Sequence, residues 1–449
     1  MSYMSYEEEA EKYYLKTGLR IPFSLIKSVS LIKASAAMAN KELNLIDNEI
    51  ADAIVKVSLM VADGKFNDEI KVDVFQTGSG TGINMNINDI ISRHSSEIIN
   101  KKVHPNDHVN MSQSSNDVIP SAIRIASYMD ANEKVLQNLN NLVKRLEEYS
   151  EKYKNLIKPG RTHLRDALPV TFGQELYAYY EEFYKDYNDL KYAMGQILEI
   201  PLGGTAVGTG INSHEKFSEL ALKYLKEFSK IDISSPKSLM RPMKLLSDLL
   251  LLSSVYKKIA VDLWKIGNDI RLMFSGPNTA IGEIDMDIAL AGSSIMPGKI
   301  NPVTVEAILQ ASSEIIGLDN ANSYISLLGE FELNMGNPSL MYNLSLQSLL
   351  LQESLTKLSE VVLPSIKPLE DRMKALALSS PSLITIFSPL IGYENAKELY
   401  ERVKNGEKLE EVAKSLRLDE ETIKRITDLN VLVNPGIPVL KMKDNKQYK

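Results

Sequence analysis

Apolar residues recur every three or four positions along five long stretches, near 121–154, 171–199, 246–275, 304–329 and 339–363, and this spacing predicts a long helix in each. In the third, Leu249, Leu252, Tyr256, Ile259, Leu263, Ile266, Ile270 and Met273 alternate steps of three and four, a heptad seam on a helix about 45 Å long. Leu250, Leu251, Val255, Ala260 and Val261 add apolar surface beside the seam, so the helix is expected to be covered on more than one side. The pattern implies a bundle whose central helices are covered by other subunits as well as by their own.

The flanks are more broken. Ahead of residue 112, Leu25–Asn40 and Leu45–Asp63 carry helical spacing, Asp68–Phe75 is predicted as a short extended strand, and the run TGSGTG (Thr77–Gly82) precedes a further helix. From about Lys374 the chain is interrupted at Pro381 and Pro389 and then gives three short helices, with Asp419 placed to cap one of them. That region resembles a helix-turn-helix only superficially, because Glu394–Asp428 holds ten acids against eight bases and no basic stripe. The tail, Lys441–Lys449, is expected to be disordered. The expected division is 1–112 mixed but mostly helical, 113–373 a long-helix bundle and 374–449 a small helical domain.

Charge and composition narrow the choice of partners. The 449 residues carry a formal net charge of -7, so no global field favours nucleic acid or an acidic membrane surface, and an anionic ligand has to be held by local cations and amides. The chain has no cysteine, which removes disulfides, thiolate metal sites and cysteine nucleophiles. With Glu7, Glu8, Glu9 and Glu11 near the start, no signal or transit peptide is expected, and no apolar run approaches the roughly 20 residues of a membrane span. A cytoplasmic location is expected.

Four polar stretches carry candidate chemistry. AGSSIMPGKINPVTVE (Ala291–Glu306) has two glycines, two prolines and adjacent serines, so it cannot continue the helices around it. It offers Ser293 and Ser294 as proton carriers, Lys299 as a cation and Asn301 as an amide, and it places Glu306 in the first turn of the next helix. TGSGTG fails the dinucleotide fingerprint, since position 83 is Ile, and is better suited to a nest of main-chain N–H groups for a carboxylate. KKVHPNDHVNMSQSSND (Lys101–Asp117) is a donor-rich loop; Pro105 between His104 and His108, without HExxH, argues against zinc. GRTHLRDALPVTFGQE (Gly160–Glu175) sets His163 on a loop that enters a long helix, and GGTAVGTGINSH (Gly203–His214) lacks the Gly-Lys-Ser/Thr of a phosphate loop.

Taken in order, QTGSGTGINMN, HPND, SQSSND, GRTH, GGTAVGTG and GSSIMPGKINP resemble the aspartase/fumarase superfamily, and within it the class II fumarases, over essentially the whole chain. Aspartases are similar but usually carry Gln where His163 stands and Ala where Gly298 stands. Argininosuccinate and adenylosuccinate lyases share the GSSIMPGK loop and a histidine, but not the TGSGT and HPND wording.

The resemblance implies an all-α, three-domain fold. Its central five-helix units form a twenty-helix core in a homotetramer, with each active site assembled from three chains. It implies reversible hydration of fumarate to (S)-malate, with fumarate and malate as small dicarboxylate partners and no cofactor or metal. Removing a proton beside a carboxylate leaves a dianionic aci-carboxylate that needs fixed donors around it. By the same resemblance Ser293 handles the proton on carbon, and Lys299 and Asn301 stabilise the anion. His163 activates water, and Glu306 holds the other imidazole nitrogen. Thr81, Asn116 and Thr162 clamp the carboxylates, and Ser79, Gly80, Ser114, Ser115, Ser294 and Ile300 match further substrate contacts. Lys101, His104, Pro105, Asn106 and Asp107 match a secondary dicarboxylate site, where the family often has Arg in place of Lys101. The alternatives are an aspartate ammonia-lyase and a non-catalytic helical relative that has kept the fold.

Overall fold

The computed structural model describes residues 12–287 and 292–439. Over the described residues the fold is all-α, relieved by three two-stranded antiparallel ribbons. In chain order the α-helices longer than one turn are α1 (Phe23–Glu42), α2 (Asn48–Ala62), α3 (Thr81–Ile99), α4 (Ser115–Asp130), α5 (Gln137–Lys152), α6 (Phe172–Gln196) and α7 (Phe217–Ser229). They continue with α8 (Ser247–Phe274), α9 (Val303–Ser326), α10 (Asn337–Lys357), α11 (Glu370–Ser379), α12 (Tyr393–Lys404), α13 (Leu409–Ser415) and α14 (Glu420–Thr427). The ribbons pair β1 (Ile157–Thr162) with β2 (Arg165–Thr171), β3 (Ile284–Met286) with β6 (Ile366–Pro368), and β4 (Gly329–Glu330) with β5 (Leu333–Asn334). The five expected long helices are all present; the first is α4 and α5 joined through a π-helical stretch, Ala131–Leu136. The tail, Lys441–Lys449, lies outside the described residues.

One compact unit holds the residues up to Leu139, Lys185–Trp264 and Gln310–Leu355. Two of its helices begin at a side chain that satisfies free N–H groups: Asp47 Oδ1 accepts from Glu49 N and Ile50 N at 3.0 and 3.3 Å at the start of α2, and Ser114 caps α4, while the left-handed Gly80 precedes α3 with no side-chain cap. The heptad seam is a buried seam, since Leu249, Leu252, Tyr256, Ile259 and Leu263 are fully enclosed. A polar layer crosses it. Ser253 Oγ donates to Asp319 Oδ1 at 2.8 Å, and Asn322 Nδ2 donates to Ser253 Oγ at 2.9 Å and to Gln347 Oε1 at 3.2 Å, which fixes the register of α8, α9 and α10. Val261 and Trp264, off the seam, stay 49% and 42% exposed in the single chain. The strand expected at Asp68–Phe75 is not formed. Asn67–Glu69 is a 3-10 turn, and Asp73 instead binds Thr17 N, Thr17 Oγ1 and Phe75 N, so side-chain contacts replace a ladder for which no partner strand exists among the described residues.

The other unit holds Asn140–Tyr184, Lys265–Leu309 and the chain from Thr356 onward. It contains the β1–β2 hairpin, with α11 packed on β1, and the β3–β6 ribbon. A small apolar cluster of Ile384, Phe387, Leu399, Val412 and Ile426 holds the C-terminal helices together. Asp419 caps α14, accepting from Thr422 N at 2.9 Å. Among the described residues no single helix is long and apolar enough to cross a membrane. One bent pair, Glu370–Ser379 with Pro381–Ile391, reaches that composition, but its Ile384, Ile386 and Phe387 are buried in this cluster.

Candidate active site

Two helix N-termini meet in the first unit. At the head of α3, Gly78 and Gly80 are obligatory: a Cβ on Gly78 would sit 1.9 Å from Met335 O, and one on Gly80, at φ +77°, 2.8 Å from Ile119 Cγ2. That close approach brings Ser79, Gly80 and Thr81 to α4, whose own first residues are Ser115 and Asn116. Ser79 Oγ and Thr81 Oγ1 are hydrogen-bonded at 2.8 Å, and Asn84 Nδ2 donates to Ser115 Oγ at 3.0 Å across the two helices. Two helix N-termini, each the positive end of its dipole, thus lie side by side, an arrangement that favours a carboxylate.

Buried polar groups hold this cradle in position. Ser114 Oγ accepts from Asn116 N at 3.2 Å, and Asp117 Oδ1 accepts from Ser114 N at 2.9 Å. Asp117 Oδ2 accepts from Gly203 N and Thr205 N at 3.0 and 2.9 Å, and Asn116 Nδ2 donates to Ala206 O at 2.9 Å, so the GGTAVGTG segment is tied to α4. Lys33, fully enclosed within α1, donates to Asn110 Oδ1 at 2.8 Å and Gln113 Oε1 at 3.1 Å. Burial pushes Lys33 down to about 7 although Asp117 opposes the shift, and burial pushes Asp117 up to about 6 against its main-chain donors and Lys33.

The HPND residues form one π-helical turn, Pro105–Val109. His104 Nδ1 accepts from Asn106 N and Asp107 N at 3.3 and 3.1 Å and lies 3.3 Å from Asp107 Oδ2. Lys101 is paired with Glu49, which raises its pKa. This turn keeps His104, Pro105, Asn106 and Asp107 together, while the Lys101 ammonium is directed to a different carboxylate.

In the second unit His163 is at the tip of a β-hairpin, not on a plain loop as its flanking Gly160 and Pro169 suggest. Thr162 pairs with Arg165, which leaves His163 and Leu164 as a two-residue turn, both left-handed at φ 55° and 56°. A type I′ turn requires that conformation at both positions, and without glycine or asparagine it costs about 1–2 kcal/mol per residue. The hairpin therefore holds an exposed imidazole in a conformation that it must enforce. His163 borders a cavity of about 660 Å³ with Lys158, Arg161, Glu175, Asn268 and Asp269.

The signature segment is an exposed loop closed on itself. Gly292 N donates to Lys299 O at 2.9 Å, and Asn301 Nδ2 donates to Gly292 O at 2.7 Å. Ser293 Oγ accepts from Ile295 N at 3.3 Å and from Met296 N at 3.0 Å, so two main-chain donors are aimed at the oxygen that an alkoxide would occupy. Ser294, Lys299 and Ile300 are exposed, and among the described residues the Lys299 ammonium has no ion-pair partner. Glu306 is half-buried in the first turn of α9.

Within one chain, Ser79–Thr81 join Ser114–Asn116, and Ser293, Lys299 and Asn301 share one loop. Among the described residues the His163 ring has no hydrogen bond to Glu306, and none of residues 292–301 lines the His163 cavity. The residues not foreseen from sequence are Lys33, Asp117 and Glu283, each buried and charged; only an isolated Lys in the apolar run LIKASAAMA could have signalled one of them.

A family model described as a lyase matches residues 4–317. The chain is 47% identical to a class II fumarate hydratase of Saccharolobus solfataricus, over 96% of this chain and 99% of that protein. It is 37% identical to an aspartate ammonia-lyase of a Bacillus species, over 94% and 92% of the two chains. Among solved structures, a class II fumarase from Schistosoma mansoni superposes with a TM-score of 0.92 at 30% identity, over 96% and 95% of the two chains.

Proposed function

The chain belongs to the class II fumarases of the aspartase/fumarase superfamily, and from that membership we infer that it is a lyase, a fumarate hydratase interconverting fumarate and (S)-malate. In the dehydrating direction, Ser293 as alkoxide takes the proton from the carbon beside a carboxylate, and the electron pair spreads onto that carboxylate as an aci-carboxylate. Hydroxide then leaves the neighbouring carbon, receives a proton from His163 and departs as water. The reaction needs no cofactor, because the substrate's own carboxylate is the electron sink.

The observation that carries the reading is the pair of N–H groups, from Ile295 and Met296, donated to Ser293 Oγ. A serine hydroxyl is a poor base unless its conjugate oxyanion is stabilised in advance, and two fixed amides supply that with no reorganisation during reaction. Lys299 and Asn301 on the same loop stabilise the aci-carboxylate. Ser79, Gly80, Thr81, Ser114, Ser115 and Asn116 receive a substrate carboxylate at the paired helix termini, with Thr162, Ser294 and Ile300 completing the contacts. His104–Asp107 form a secondary dicarboxylate site, which Lys101 joins only by leaving Glu49.

The protein is a homotetramer in which the central segment, 113–373, supplies a shared twenty-helix core, and each active site takes residues from three chains. In support, Val261 and Trp264 on α8 and Tyr177, Tyr184 and Tyr192 on α6 are exposed in the single chain. His163 and Ser293 likewise lack a common pocket there, and the Glu306 partner of His163 comes from a neighbouring chain. The protein works in the cytoplasm, in keeping with its lack of cysteine.

A parallel assay with fumarate, malate, aspartate and argininosuccinate tests the reading. Loss and gain of absorbance with fumarate and malate alone is expected. Ammonia released from aspartate at a comparable rate would transfer the chain to the ammonia-lyases.

A further inference from the structure

We propose that Glu283 is a positioning residue for His163, acting through ion pairs to Arg161 and Lys158 that anchor the strand leading into the His163 turn. Glu283 is fully enclosed, and its carboxylate lies 2.6 Å from Arg161 Nη1 and 3.3 Å from Lys158 Nζ. Its main chain is fixed on both sides: the amide donates to Met273 O near the end of α8 at 2.9 Å, and the carbonyl accepts from Leu369 N at 2.9 Å. Glu283 is therefore a stationary post, while the hairpin is the part that has to be held.

The hairpin is adapted to that post. Lys158 and Arg161 are three residues apart, which regular strand alternation would set on opposite faces. The register shifts between Pro159 and Arg161, and both cations reach the same carboxylate. Gly160 lies at the shift, where a Cβ would come within 2.4 Å of Leu168 O. Lys158 is also paired with Glu175 in the first turn of α6 at 2.8 Å, so the strand is tied at two points.

The tie ends two residues before His163, whose left-handed backbone, with that of Leu164, is disfavoured for both side chains and relaxes if the strand is released. Glu283 also immediately precedes β3, the segment leading toward residue 292. The same carboxylate therefore connects the imidazole's strand to the start of the segment that carries Ser293.

The inference rests on the fumarate hydratase reading, with His163 as the water-side group. Arg161→Gln, Glu283→Gln and the double variant of the full chain would be assayed for fumarate hydration, with assembly checked by sedimentation. Each single variant is expected to lose about 10- to 100-fold in kcat per assembled site, as misplacement of a reacting group does. KM should stay within about twofold, and Glu283→Asp should restore part of the rate. The double variant should be no slower than the slower single, because both changes cut one tie.

Wild-type kcat in both singles would overturn the anchor, as would losses that multiply in the double, or a lowered unfolding midpoint with kcat unchanged. If Glu283→Gln does not assemble, Arg161→Gln, at the more accessible end of the pair, decides alone. Wild-type turnover on fumarate tests the functional reading, and the variant-to-wild-type ratio tests the anchor.

Discussion

Replacing Gly80 by Ala should damage both the stability of the first unit and the grip on substrate, and the size of the damage can be worked out. Gly80 sits at φ +77°, where an alanine costs about 1–2 kcal/mol. The added Cβ would lie 2.8 and 3.0 Å from Ile119 Cγ2 and Cγ1, inside a fully packed site, and overpacking of this kind costs about 1–3 kcal/mol. The lower entropy of the unfolded alanine chain offsets about 0.4–1 kcal/mol. The net loss is roughly 1–5 kcal/mol, relieved by moving the head of α3 away from α4. That movement separates Ser79–Thr81 from Ser114–Asn116, so KM for fumarate should rise.

Urea unfolding at fixed protomer concentration and initial rates against fumarate measure the two effects. Ile119→Ala removes both clashing carbons, so the cycle of Gly80→Ala, Ile119→Ala and the double should show a favourable coupling of about 1–3 kcal/mol. A Gly80→Ala protein within about 0.5 kcal/mol of wild type with unchanged KM, or a cycle with no coupling, would refute the close-approach argument.

Three further substitutions have defined outcomes. His163→Asn should lower kcat by roughly 10² or more with assembly intact; wild-type turnover would remove the water-side proton transfer from His163. Lys299→Ala should lower kcat by about 10²–10³, the loss seen when one donor to a developing anion is removed, and an unchanged rate would place the cation elsewhere. Lys33, lowered from 10.5 to about 7 in the fold, binds a proton in the unfolded chain but not in the folded one between those values, so it makes stability rise with pH across that window. The urea midpoint of wild type should rise relative to that of Lys33→Met from pH 7 to pH 10, and parallel curves would contradict the shift. Asp117, raised from 3.8 to about 6, acts with the opposite sign between those two values, where the folded chain holds the extra proton.

The long helices were legible because burying a seam on α8 demands apolar residues at Leu249, Leu252, Tyr256, Ile259 and Leu263, and few other patterns satisfy that demand. Glu306 was placed for a similar reason: Pro302 does not continue a preceding helix, and the periodic run that follows it puts the next carboxylate in a first turn. The hairpin was hidden. Its turn is His163-Leu164, which lacks the glycine or asparagine that normally marks a type I′ turn, and Pro159, Gly160 and Pro169 read as loop residues. At Asp68–Phe75 the error ran the other way, because alternation at Val72 and Val74 records burial of those side chains and not the presence of a partner strand. Lys33 stood out only as an isolated charge in an apolar run, and Asp117 and Glu283 could not be distinguished from solvated charges, since the groups that pair with all three come from up to 125 positions away along the chain and only folding brings them together.

Whether distant segments of different chains build one dicarboxylate site can be tested by co-expressing His163→Asn and Ser293→Ala subunits with different tags, purifying hybrid assemblies and measuring fumarate hydration. Each parent should be nearly inactive, and the hybrids should regain turnover well above both, because some sites then draw an intact imidazole and an intact serine from separate subunits. Hybrids as inactive as their parents would contradict a site shared between chains.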